Sequence, residues 1–157
     1  MTDRVSVGRW PVLDPTPRRR LLDAFAVNLS DALAAAGYRT NIGVVVTLEP
    51  GQLDPEQVEE GLAIYIERQA RSPEAATAKT HRLTTVGVLV KRIAHGVGEA
   101  RLDDVVDDIE RALDARPKTW PAGFTAPQYQ SMEPLRAPPG ADWIGALIRY
   151  TSTIPIR

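Results

Sequence analysis

The chain has 157 residues, with 19 Lys and Arg against 20 Asp and Glu, a formal net charge of −1, and no Cys. This balance argues against a nucleic-acid module, which needs a basic excess, and the missing cysteines exclude disulfides, thiolate zinc sites and a cysteine nucleophile. No apolar run approaches the ~20 residues that span a bilayer and no signal-peptide core is present, so we expect a soluble protein made in a cytoplasm.

Residues 1–16 lack a periodic apolar pattern, so we expect an extended N-terminal arm before a single domain over residues 17–157. Trp10 precedes Pro11 and is therefore biased toward extended geometry. Its indole is either a pin that holds the arm against the core or a contact for another molecule.

An amphipathic helix is predicted from about Pro17 to Ala36, because apolar residues recur there at three- and four-residue spacing. Gly37 follows as the expected C-terminal stop. The first turn carries three arginines at the end where the helix dipole disfavours cations. They form either a solvated tip or a basic patch that meets an acidic partner. These arginines are Arg18, Arg19 and Arg20.

Two extended segments are predicted next, at residues 38–48 and 62–69, separated by a polar stretch in which residues 54–60 alternatively begin a short helix. After a loop of small and polar residues, an aliphatic strand follows over residues 81–93. We expect the second segment and this strand to pair as a long antiparallel hairpin. Its projecting tip is a place where subunits or partners meet.

The sequence from His81 to Arg116 changes from strand periodicity to helix periodicity. Val86, Val88 and Val90 fall on one pleat face, two glycines break the strand, and from Leu102 the apolar positions recur at helical spacing. Carboxylates fill the opposite face of this acidic helix, several of them in the first turns, where the dipole favours anions. They are Asp103, Asp104, Asp107, Asp108 and Glu110.

Two closing strands are predicted, from Gln128 to Arg136 and from Trp143 to about Thr153, with a turn between them. The last strand has almost no polar face, so we expect it inside the sheet. The order of elements predicts an α+β fold: a mostly antiparallel twisted sheet of about four to five strands with two main helices packed against it.

The sequence carries little that indicates catalysis or metal binding. The acidic helix has pairs of Asp one turn apart, but oxygen-ligand metal sites need carboxylates from several segments, so a solvated face is the simpler interpretation. His81 and His95 bracket the central strand and lie too far apart to cooperate. No phosphate-binding glycine motif or nucleophile elbow occurs. We therefore predict no catalytic, cofactor-binding or metal-binding residue.

Taken in order, the chain resembles the bacteriophage tail terminator family, the lambda-type ring proteins that cap a finished tail tube. The resemblance covers roughly residues 17–153, and its final strand ends in a telling pair, Tyr150 and Thr151. It rests on LSDALAAAGY, LAIYIERQ, RSPEAATAK, HRLTTVGVLVKRIA, LDDVVDDIERAL and SMEPLRAPPGADWIGALIRYTSTIPI.

The resemblance implies a non-enzymatic virion protein, assembled in the host cytoplasm and located at the head-proximal end of the tail. It would form a homo-oligomeric ring, a hexamer, on the last ring of tail tube protein, stop tube polymerisation and present a surface to neck, connector or head-completion proteins. A contractile tail would add the tail sheath as a partner. The resemblance implies no cofactor, no membrane and no direct reading of nucleic-acid sequence.

A heterologous interface that closes at six subunits needs projecting elements that reach a neighbour, and the hairpin tip around residues 68–81 is the obvious candidate. We expect its cations to meet carboxylates of the acidic helix on the next subunit. The candidate interface residues are Trp10, Arg18, Arg19, Arg20, Arg68, Arg71, Lys79, His81, Asp104 and Asp108.

Two other readings of the sequence remain open. A head-to-tail connector or neck protein shares the ring and the lack of catalytic motifs. A small α+β enzyme or ligand-binding domain would instead use a cleft between the acidic helix and the closing hairpin, with Asp103, Asp107 or His95 as its polar groups.

Overall fold

The structure, a computed structural model, describes residues 13–54, 57–115 and 119–157. Most of the predicted arm, including Trp10, lies outside the described residues. Two α-helices and five strands form the α+β fold that the sequence predicts. They are α1 (Pro17–Ser30), β1 (Val46–Thr47), β2 (Glu60–Arg71), β3 (His81–Ile93), α2 (Gly98–Glu110), β4 (Gln128–Arg136) and β5 (Trp143–Pro155).

The five strands make one sheet in the order β1-β2-β3-β5-β4, so β3 is its central strand. β2 and β3 form the predicted antiparallel hairpin, and β5 lies between β3 and β4, which confirms its interior position. Only β1 runs parallel to its neighbour, β2. None of the helices in the described ranges is long and apolar enough to cross a membrane.

Both helices pack on one face of the sheet. Val86, Val88 and Val90 of β3 are fully buried there, as the period-2 pattern predicts, against the apolar faces of α1 and α2. Phe25 of α1 stands edge-on to Tyr150 of β5, with 5.9 Å between ring centroids. A single core therefore ties the helices to the central strands.

The predicted extent of α1 is wrong, because the helix ends at Ser30 rather than Ala36. A separate 3-10 turn covers Ala34–Ala36, and Gly37 caps that turn with φ +92°. Asn41 Oδ1 accepts a hydrogen bond from Ala34 N–H at 2.8 Å, which satisfies a donor at the new turn. The break lets the following segment fold back against the end of α1.

The predicted strand over residues 38–48 is also largely wrong. Only Val46–Thr47 pairs with β2, and Ile42–Val44 forms a 3-10 turn. Gly43 packs so closely on the end of α1 that a Cβ there would lie 2.6 Å from Leu29 O. The aliphatic residues that suggested a strand thus reach the core through a 3-10 turn, with Ile42 buried beside α1.

The acidic helix begins earlier than predicted, at Gly98, and continues as a π-helical turn over Arg111–Ala115. Gly96 makes the turn after β3 with φ +59°, a conformation that glycine adopts without strain. The possible short helix at residues 54–60 falls partly outside the described residues, and the part that is described forms no helix.

Candidate functional site

Asp108 is not a solvated carboxylate, which corrects the sequence prediction. Its side chain is fully buried. Oδ1 accepts a hydrogen bond from Arg39 N–H at 2.9 Å, and Oδ2 accepts from Thr40 N–H at 2.7 Å and from the Thr40 hydroxyl at 2.6 Å. The carboxylate therefore holds the segment after α1 in place and has no surface to offer a neighbouring chain.

Two further carboxylates of α2 share one cation. Arg39 lies 3.2 Å from Asp107 Oδ2 and 3.8 Å from Asp104 Oδ1, and all three side chains are partly exposed. Asp103 and Asp114 are exposed and have no cation within 4.0 Å among the described residues. The accessible negative charge of this helix thus centres on Asp103, Asp104 and Asp114.

The C-terminal end of the acidic helix meets two tyrosines of the closing hairpin. Burial raises the pKa of Glu110 above its ordinary value, and a hydrogen bond from Tyr129 partly opposes the rise. Asp114 remains exposed overall, but partial burial of its carboxyl group likewise raises its pKa, and a 3.4 Å hydrogen bond donated by the Tyr150 hydroxyl opposes the rise. These two carboxyl groups give up their protons less readily than solvated ones.

The structure brings the two predicted basic regions together at one end of the molecule. A bulge between Ile66 and Arg68 shifts the register of β2. Gln69 then donates a hydrogen bond to Thr84 Oγ1 at 2.9 Å and accepts one from Arg18 at 3.2 Å. The first turn of α1 therefore lies beside the hairpin. We call this region the hairpin end: residues 72–80, the flanking ends of β2 and β3, the first turn of α1, and residues 155–157.

Cations at the hairpin end lack carboxylate partners, in contrast with arginines elsewhere in the described residues. Away from this end, Arg39, Arg92, Arg101, Arg111, Arg136 and Arg149 each have a carboxylate oxygen within 4.0 Å. At the hairpin end, the described residues supply no side-chain carboxylate within that distance. The cations without a carboxylate partner are Arg18, Arg19, Arg20, Arg68, Arg71, Lys79, Arg82 and Arg157.

Two neighbouring cavities open at the hairpin end, with volumes of about 200 Å³ and 440 Å³. Arg18 and Arg82 line the smaller cavity, and Lys79, His81 and Arg157 line the larger one. Pro155 and Ile156 lie between them. The end is thus a concave cationic surface with an apolar ridge, suited to an acidic protein surface.

Both edges of the sheet are unsuited to continuous pairing with another sheet. β4 is an edge strand with a bulge between Tyr129 and Ser131, and it carries Pro134 and charged side chains. The outer edge of β2 pairs with β1 at only two residues, and β2 is itself bulged in its pairing with β3. Bulges, prolines and charges are the usual protection of exposed edges. Association through side chains is therefore favoured over edge pairing.

The residues proposed for an enzyme site do not meet. A cleft of about 130 Å³ does separate α2 from β4, and Asp103 lines it. His95 lies at a different cavity, where Nδ1 is 3.2 Å from Asp142 Oδ2, and Asp107 is engaged by Arg39. No cluster of three or more His, Asp or Glu side chains in the described ranges is placed to hold a metal ion.

The sequence prediction missed Arg82 and Arg157 as members of the cationic end. The position of Arg82 depends on strand register, which sets it opposite Arg71 on β2 and Ile154 on β5. Strand alternation could have placed Arg82 on the same pleat face as Thr84 and Val86. Nothing in the sequence indicates that α1 lies beside the hairpin.

No protein-family model matches the chain, and no curated protein sequence matches it. Among solved structures, the chain is similar to a protein chain in a structure described as the virion of a native gene transfer agent particle. The TM-score is 0.52 at 15% sequence identity, and the alignment covers 86% of this chain and 97% of the other. The similarity shows a shared fold over almost the whole of the virion chain.

Proposed function

We propose that the protein is a structural component of a phage-like virion, a tail terminator that forms a ring on the end of the tail tube. The observation that carries the proposal is the fold, which matches a chain of a gene transfer agent virion over 97% of that chain's length. The order of elements that resembles the tail terminator family supports the narrower assignment.

The ring contact is proposed to join the hairpin end of one copy to the acidic helix of the next. Arg68, Arg71 and Lys79 supply cations that have no carboxylate within 4.0 Å among the described residues. Asp103 and Asp114 supply accessible carboxylates, and Asp104 adds a shared one. The two surfaces differ, so the contact is heterologous, and a heterologous contact closes into a ring when its rotation allows.

This contact revises the sequence hypothesis at one residue. Asp108 is buried and saturated by hydrogen bonds from Arg39 and Thr40, so its place is taken by the exposed Asp103. Exposed ion pairs each contribute little, roughly 0.2–1 kcal/mol, so stable closure needs several of them together with apolar contact. Ile156, half exposed on the ridge of the hairpin end, offers such a contact.

The proposal is tested by the mass of the assembly in solution. Light scattering and native mass spectrometry should give a closed ring of roughly six times the 17.2 kDa chain, alone or after addition of tail tube protein. The contact is ionic, so the ring should weaken as salt rises from ~0.1 M to ~1 M. A chain that stays monomeric at all concentrations, with and without tube protein, would contradict the proposal.

A further inference from the structure

The cleft between α2 and the edge strand β4 has apolar walls. Leu102 and Val106 of α2 form one wall, and Met132 and Pro134 of β4 form the other. Leu102 and Val106 are buried, whereas Met132 is 38% exposed, so the wall on β4 is open to solvent. The cleft has a volume of about 130 Å³. Since an apolar cavity of about 150 Å³ accommodates a benzene molecule, this cleft has room for one branched aliphatic side chain.

The rim of the cleft carries negative charge. Glu99, Asp103 and Arg136 all line it. Arg136 Nη2 lies 3.0 Å from Glu99 Oε1, so these two charges compensate each other. Asp103 is exposed and has no cation within 4.0 Å in the described part of the chain. The cleft therefore favours an apolar side chain that is accompanied by cations.

Ile156 at the hairpin end has the matching properties. Its side chain is 46% exposed. Its backbone N–H donates a hydrogen bond to Thr80 O at 3.0 Å, which fixes its position beside the hairpin turn. Lys79 and Arg157 line the same cavity as Ile156 and surround it with positive charge. An aliphatic side chain among cations is complementary to an apolar cleft with an acidic rim.

We propose that Ile156 of one copy inserts into the cleft between α2 and β4 of the next copy. The inference rests on the ring proposed above and assigns the apolar part of its contact. Lys79 and Arg157 would then face Asp103 across the rim of the cleft. An apolar side chain enclosed in a pocket, with polar groups around it that exclude water, is the usual form of a contact that dominates an interface.

The two surfaces are separated along β5, so a chain cannot fill its own cleft. Met132 of the cleft pairs with Ile148 of β5. Ile156 lies eight residues further along the chain, which is about 26 Å at ~3.3 Å per extended residue. No side chain spans that distance. The contact must therefore join two copies, and its repetition from copy to copy gives a ring when the rotation closes.

Engineered disulfides in the full-length chain test this contact, because the protein has no native cysteine. Oxidation of Met132→Cys with Ile156→Cys should link chains into a ladder on a non-reducing denaturing gel. The linkage should be at least about tenfold faster than for Val27→Cys with Ile156→Cys, since assembly raises the local concentration of the paired thiols. Val27 is 66% exposed, so accessibility alone would favour the control pair.

The single variants test the direction of the contact. Met132→Cys alone and Ile156→Cys alone should both remain unlinked, because the contact joins two different surfaces. Equal rates for the two cysteine pairs would overturn the proposal. A dimer of Ile156→Cys alone that forms as fast as the ladder would also overturn it, since two hairpin ends would then meet.

Replacement of Ile156 gives an independent measurement. Ile156→Asp removes the apolar side chain and places a carboxylate near Asp103. The protein concentration at which half of the chains are in rings should therefore rise by about tenfold or more. Val27→Asp makes the same change at an exposed site on α1 and should leave this concentration unchanged. Circular dichroism checks that both variants are folded, and equal assembly of the two would overturn the proposal.

Light scattering of the unmodified chain separates this contact from the ring itself. Rings that form without the preferred disulfide, and that persist in Ile156→Asp, would overturn the Ile156 contact and leave the terminator proposal standing. A chain that stays monomeric at all concentrations, with and without tube protein, would contradict both.

Discussion

Asp108 of the acidic helix and Thr40, 68 residues earlier in the chain, are joined by two hydrogen bonds: the backbone N–H and the hydroxyl of Thr40 both donate to Asp108 Oδ2. Arg39 N–H completes the set at Oδ1. The carboxylate accepts the backbone hydrogen bonds that a neighbouring strand would accept if the segment after α1 were in the sheet. It therefore fixes the segment after α1 against α2 before the chain enters the sheet at β1.

Replacing Asp108 should destabilise the fold more than replacing any neighbouring carboxylate. Asp108→Ala leaves two backbone donors unsatisfied, and we expect a loss of about 3 kcal/mol in the free energy of unfolding. Asp103→Ala, on the exposed face of the same helix, should change it by less than about 0.5 kcal/mol. Urea denaturation of the two variants measures the difference, and equal effects would contradict the role assigned to Asp108.

The contrast between β3 and the end of α1 shows what the sequence could predict. β3 alternates without interruption, so Val86, Val88 and Val90 identify its buried face, and its pairing with β2 follows from the short loop between them. The helix prediction fails past Ser30 because Leu33 and Ala36 continue the apolar spacing although the chain has turned. Only tertiary contacts, of Gly43 with the α1 end and of Asn41 with Ala34, decide that boundary.

The sequence predicts most of the cationic residues of the candidate site, but not that they lie together. The two groups of cations, Arg18 to Arg20 and Arg68 to Lys79, are visible in the sequence as separate patches. Their union depends on the Arg18–Gln69 hydrogen bond and on strand register. The acidic helix was predicted as a uniform solvated face, since helical periodicity alone does not reveal that Asp108 lies on the buried side.

Two 3-10 turns, Ile42–Val44 and Pro50–Gln52, provide a matched pair of glycine substitutions. A Cβ at Gly43 would lie 2.6 Å from Leu29 O and 2.7 Å from Ser30 O, both backbone atoms, so Gly43→Ala forces a shift and should cost about 1–3 kcal/mol. A Cβ at Gly51 meets nothing within 4 Å, so Gly51→Ala should be neutral or slightly stabilising. Thermal unfolding of both variants tests the packing, and a neutral Gly43→Ala would refute it.

The C-terminal end of the acidic helix, where Glu110 and Asp114 are partly covered, predicts a pH effect. The pKa values of Glu110 and Asp114 are raised by burial above 4.5 and 3.8, so the folded chain holds these protons to higher pH than the unfolded chain does. Their contribution to stability is therefore lost as the pH rises through that window. The variant Glu110→Gln with Asp114→Asn should gain stability relative to the parent at pH 7 but not at pH 3. A gain of equal size at both pH values would contradict the raised pKa values.

The proposed ring contact predicts a charge reversal and its rescue. Arg71→Glu places like charges at the interface and should shift the assembly toward smaller species by native mass spectrometry, and adding Asp103→Arg should restore the ring. Lys91→Glu makes the same kind of charge reversal at the end of β3 away from the hairpin, beside Trp143, and should leave the ring intact. An unchanged ring in Arg71→Glu would exclude this contact while leaving ring formation itself open.

Negative-stain imaging of tail tubes polymerised with and without the protein tests the terminator assignment most directly. The tubes should stop lengthening when the protein is added, and each should carry one additional ring at a single end. Tubes that continue to lengthen, with protein absent from their ends or bound along their sides, would contradict a role in tail termination.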